Sequence, residues 1–137
     1  MKVVLDTNVV VSGVFFGGTP GRVLAAWSAG EFAMVLSPAI LDEYRRVGHD
    51  LGQRHPELAA AFEPVLTLIT VNAIIVDAPG LDGPVSADPD DDMFLAAALA
   101  AQAPVIVSGD RDLLDVSGWR DIEVRSPRQF LDQHLGV

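Results

Sequence analysis

The chain has 137 residues, 50% of them apolar, and 19 acids against nine bases give it a formal charge of −10. That length suits one domain with a sizeable core, expected to span residues 1–137. No apolar run reaches the roughly 18 residues of a membrane span, and the opening MKVVLDTNVV meets an acid too early for the apolar region of a signal peptide, so a cytoplasmic chain without membrane association is expected. With no cysteine and only His49, His55 and His134 scattered along the sequence, disulfides, thiolate zinc sites and histidine clusters are excluded, and any metal has to be held by oxygen.

In chain order, short β-branched runs alternate with longer helical patterns. The strand candidates are Val3 to Asp6, Ala33 to Leu36, Val105 to Ser108 and Ile122 to Arg125, with Ile74 to Val76 readable either as an edge strand or as a helix tail. Helical spacing marks Gly21 to Ala29 and Ile40 to Val47, and Pro56 to Val71 reads as one kinked helix or two short ones around Pro64. Met93 to Gln102 is apolar on every face and is therefore expected to be buried. Residues 17–21 (GGTPG) and Ala78 to Val85 read as loops. Strands separated by helices imply an α/β fold with a mostly parallel sheet.

In such a sheet ligands bind at the carboxyl ends of the strands, and acids stand there: Asp6 after the first strand, Asp110 and Asp112 after Val105-Ile106-Val107. Taken singly, Asp6 is equally a helix cap and Asp110 a turn residue. At about 100° per residue, Ile40, Leu41, Tyr44 and Val47 form the buried stripe of their helix. Asp42 then falls opposite that stripe, in water, and Glu43 falls on its margin. The segment DPDDDMF places four acids, Asp88 and Asp90 to Asp92, at one helix start. Asp88 as N-cap and Pro89 at the first helical position account for part of this run, but an acid gains only about 0.3 to 1 kcal/mol from the helix dipole, whereas like charges about 4 Å apart repel by about 4 kcal/mol at an effective dielectric of 20. Asp91, three to four residues before Phe94 and Leu95, is the first choice to reach the sheet edge, and Asp92 is the second.

Carboxylates gathered in this way require protons or cations. A hard, oxygen-loving ion, Mg2+ or Mn2+, fits them, and phosphodiester hydrolysis is the chemistry such a centre performs. The charge of −10 argues against a polyanionic partner only if no cation inverts the local field. Arg45, Arg46, Arg111 and Arg128 are candidate phosphate contacts, and Leu58, Phe62, Val65, Leu66 and Ile69 form an apolar stripe suited to core packing or to a partner.

In the pieces VVLDTNVVVSG, LSPAILDEYRRV, DPDDDMFLAAALA and VIVSGDRDLL the chain resembles the PIN-domain ribonucleases, and within them the VapC-like toxins of toxin–antitoxin systems. The resemblance runs from Lys2 to about Arg128. It implies a three-layer α/β/α sandwich and an acidic quartet for Mg2+ or Mn2+ that falls on Asp6, Glu43, Asp91 and Asp110. Asn8 and Asp112 match supporting positions, and Ser108 stands where a carboxylate-orienting Thr is commoner. RNA as substrate, a homodimer and a silencing cognate antitoxin are implied in the same way. Two rivals, a phospho-receiver and an enzyme with an aspartyl intermediate, need a lysine near the phosphate, and Lys2 lies at the wrong end of its strand. A non-catalytic PIN-like module that binds an antitoxin or another protein is the alternative from a different class.

Overall fold

A computed structural model describes residues 1–135. Five strands form one sheet, β1 (Lys2–Leu5), β2 (Ala33–Leu36), β3 (Ile74–Ile75), β4 (Val105–Val107) and β5 (Glu123–Arg125), in the order β3-β2-β1-β4-β5. Every pairing is parallel. Parallel neighbours need long crossovers, which the helices supply: α1 (Thr7–Phe16), α2 (Gly18–Ser28), α3 (Pro38–Arg54), α4 (Pro56–Asn72), α5 (Asp92–Ala101), α6 (Arg111–Leu114) and α7 (Pro127–His134). Crossovers of the usual right hand place α1 to α4 on one face and α5 on the other. The packing agrees: α1 lies against α3 and α4, α7 against α2, and α5 against β1, β2 and β4. The fold is thus a three-layer α/β/α sandwich.

The central strands are sealed on both sides. Val3, Val4, Leu5 and Val105 to Val107 are buried, as expected for unbroken apolar runs in a parallel sheet. Around them pack Phe94, Leu95, Ala97 and Ala98 of α5 and Ile40 and Tyr44 of α3. Most of the all-apolar helix is therefore buried, as its composition predicts, while Leu99 and Ala100 are exposed.

Several boundaries differ from the sequence expectation. The ambiguous Ile74 to Val76 forms a short exposed edge strand, and the Val76 amide still donates to the Leu36 carbonyl at 2.9 Å. Gly17, at φ 70°, ends α1 on its own, and most of the expected loop over residues 17–21 belongs to α2, which leaves α1 at about 100°. The third helix runs well past Val47, because Gly48 and Gly52 continue it as a close-packing face rather than stopping it. Pro56 to Asn72 is one helix: Pro64 is exposed, and so is Ala60, whose carbonyl the missing N–H leaves to water. Phe62, Leu66 and Ile69 of the apolar stripe are core residues. The last helix, α7, has no counterpart among the expected elements.

Candidate functional site

The strand order places β1 beside β4, the point where successive crossovers change direction across the sheet. There the loops at the strands' carboxyl ends diverge and leave a crevice. Asp6 follows β1 directly, and its N–H donates to the Val107 carbonyl at 2.9 Å, which pins it to the neighbouring strand. Its buried carboxylate accepts from the Ser108 hydroxyl at 2.6 Å. Ser108 is fully buried, and its oxygen also accepts the Asp110 amide at 2.9 Å, so a single hydroxyl fixes two acid-bearing segments 102 positions apart. Asp110 in turn caps α6 by accepting the Asp112 amide at 2.9 Å.

Glu43 arrives on α3. That helix starts at Ser37, whose side chain accepts the Ile40 amide, and Pro38 at its first position suits the fixed φ. The buried Tyr44 ties it to the site by donating to the Leu5 carbonyl, one residue before Asp6. Glu43 sits half-buried on the helix margin and pairs with Arg46 at 2.6 Å, while Asp42 lies in water, 3.3 Å from Arg45.

The run Asp88 to Asp92 divides by role. Asp88 accepts the Asp90 amide and starts the turn Pro89–Asp91 that leads into α5. Asp92 accepts the Val85 and Ser86 amides at 3.1 and 2.8 Å and so anchors the preceding loop. Asp91 points into the crevice and is 8% exposed.

Together these residues make a cleft of about 440 Å³. Asp6, Asn8, Glu43, Asp91 and Asp110 all line it, joined by Thr7, Arg46, Asp88 and Asp90. Ser108 lies beneath Asp6. Asp112 is not among the lining residues; it meets Asp88 and Asp91 in a second grouping, in which one oxygen from each carboxylate lies within 4.8 Å of the others. The sequence reading missed Asp88 and Asp90 as lining acids, although their density was the available signal, and it missed Thr7, for which no pattern exists.

The electrostatics is that of an uncompensated site. Burial raises the Asp6 carboxyl against the lowering pull of the Ser108 hydroxyl and the Thr7 amide. Burial, then the adjacent Asp110 carboxyl and the charges of Asp6 and Asp88, push Asp91 from 3.8 up to about 8. Asp91 Oδ2 and Thr7 Oγ1 are buried side-chain oxygens without a hydrogen-bond partner. An all-oxygen donor set with an orphaned carboxylate oxygen matches what a hard divalent cation requires. Phosphate chemistry through a lysine has no basis here, because Lys2 starts β1, away from the cleft, and donates to the Ala101 carbonyl at 3.1 Å.

No curated protein gives a significant match to the chain. The family model described as "PIN domain" matches residues 2–112, a span that begins in β1, ends just past Asp110 and so takes in every acid of the cleft. The parallel sheet with acids at its switch point and that match agree, and the chain belongs to the PIN-domain family.

Proposed function

We propose that this protein is a Mg2+- or Mn2+-dependent endoribonuclease that hydrolyses RNA phosphodiester bonds. The observation that carries the reading is the buried, unpartnered Asp91 oxygen in a wall of carboxylates. Burial and the neighbouring acids favour the protonated form of that group, and a dication held there would offset its repulsion with Asp6 and Asp110. Asp6, Glu43, Asp91 and Asp110 would hold the ion, and Asp88 and Asp112 offer further oxygens beside Asp91. When bound there, a hard dication supplies Lewis acidity at phosphorus and activates water for in-line attack.

The chain's own residues set the geometry. Ser108 keeps Asp6 and Asp110 in fixed relation, Tyr44 holds α3 and hence Glu43 against the end of β1, and Asn8 presents an amide at the rim for a phosphate or ribose oxygen. Phe94, Met93 and Val47 close the apolar side of the cleft against bulk water.

From the resemblance to VapC-like toxins follow the finer parts of the proposal: the toxin role in a toxin–antitoxin pair, a homodimer, a cognate antitoxin as partner and a cytoplasmic location, all on one domain spanning residues 1–137. The test is cleavage of single-stranded RNA by the purified protein with Mg2+ or Mn2+, with chelator, and with Asp6→Asn. Activity that survives the chelator or the substitution would remove the assigned centre. A native chain that binds a cognate antitoxin yet cuts no RNA under any of these conditions leaves the non-catalytic module as the answer.

A further inference from the structure

Among the described residues one base lines the acidic cleft. Of the nine lysines and arginines, Arg46 alone does so, facing Asp6, Glu43, Asp90, Asp91 and Asp110. Its guanidinium is spoken for at rest: it lies 2.6 Å from Glu43 and 3.7 Å from Asp50, one turn to either side on α3. The side chain is 63% exposed, so its head can swing without disturbing the core, and an exposed pair of this kind is weak. Guanidinium, planar and always charged, matches a phosphate with two parallel hydrogen bonds as well as it matches a carboxylate.

We propose that Arg46 seats an RNA phosphate in the cleft, and that in the resting protein it serves as the counter-ion of Glu43. The inference rests on the ribonuclease reading and adds the substrate contact that the acids cannot provide. It describes an exchange of partners. Glu43 turns from Arg46 to the cation, and the freed guanidinium turns to the phosphate that the cation also attracts, so charge stays balanced throughout. Two consequences of opposite sign follow. Removing Arg46 frees Glu43 and tightens cation binding, and the same change weakens RNA binding.

Arg45 supplies the control. It is the neighbouring arginine on the same helix, pairs with Asp42 and is absent from the cleft wall. The experiment measures Mn2+ binding by calorimetry and binding of a labelled single-stranded oligoribonucleotide by fluorescence anisotropy in Ca2+, for the native chain, Arg46→Ala, Arg46→Lys and Arg45→Ala. Arg46→Ala is expected to raise the RNA Kd about tenfold, to lower the Mn2+ Kd about threefold and to reduce the salt slope of RNA binding by about 0.7, the value for one lost single-strand phosphate contact. Arg46→Lys keeps the salt slope, and Arg45→Ala leaves both constants within about twofold of native. The proposal is overturned if Arg46→Ala binds RNA as the native chain does, if its Mn2+ affinity is unchanged, or if Arg45→Ala produces the same loss. A native chain that binds no RNA removes the ribonuclease reading together with this one, whereas native binding with an indifferent Arg46→Ala removes this one alone.

Discussion

A single hydroxyl and a single carboxyl decide most of what the cleft can do. Ser108 Oγ both donates to Asp6 and accepts from the Asp110 amide, so Ser108→Ala leaves a buried carboxylate and an N–H without their partner, at a cost of about 1 to 3 kcal/mol. Loss of such an orienting partner typically weakens a metal centre about 10- to 100-fold. Mn2+ calorimetry on Ser108→Ala and Ser108→Thr checks this: Thr, which keeps the hydroxyl, should retain most of the affinity, and equal loss in both variants would assign the effect to packing. Asp91 gives a pH signature. Its folded-state value of about 8 lies above the ordinary 3.8, so between those limits the folded chain holds more protons than the unfolded one, and the stability of chelated protein falls as pH rises from about 4 to about 8. Saturating Mn2+ should flatten that slope and release a proton on binding. Asp91→Asn should shrink both effects, leaving the part of the slope that the raised Asp6 carboxyl contributes, and melt no lower than native at pH 8 without metal, as expected where stability has been given up for binding. Sequence alone left residue 91 open against residue 92, because the difference lies in the loop amides that Asp92 accepts, and a loop has no periodicity to read.

Helices were legible where an apolar stripe defined them and illegible where something else did. The angle on α3 separated Asp42 from Glu43 by burial, and the structure places them accordingly, yet the helical spacing read from the sequence ends at Val47 whereas the helix runs on to Arg54 through two glycines. They are a contact surface: a Cβ on Gly48 would stand 2.2 Å from the Phe62 ring. Gly48→Ala should therefore force α3 and α4 apart and destabilise by about 1 to 3 kcal/mol, even though alanine is the better helix former. Denaturant titration of Gly48→Ala, Phe62→Leu and the double variant checks the coupling; additive effects would dissociate the two sites. The unforeseen α7 carries its own start signal, a capping box of Ser126 and Gln129 with Pro127 between them, which the short apolar content of the segment concealed.

Over the whole molecule, alternating short strands and helices were sufficient for an α/β fold with a mostly parallel sheet, and the carboxyl-end rule for the placing of Asp6 and Asp110; the three layers and the full acidic set came from the resemblance to the PIN-domain family. What composition obscured was the partner. A charge of −10 argues against RNA until a cation enters the cleft, so RNA affinity should be absent in chelator, appear with Ca2+ and fall with added salt; anisotropy across a salt series measures it, and metal-independent binding would contradict the reading. At 100 times its Kd, Mn2+ should also stabilise the fold by about 2.7 kcal/mol, seen as a rise in Tm of several degrees. The adjacency of β1 and β4 has a further consequence for synthesis. Asp6 leaves the ribosome about a hundred residues ahead of β4, the strand that completes its surroundings. A chain released or stalled before Asp110 emerges has no assembled centre, so incomplete translation products of this protein should be inert towards cellular RNA.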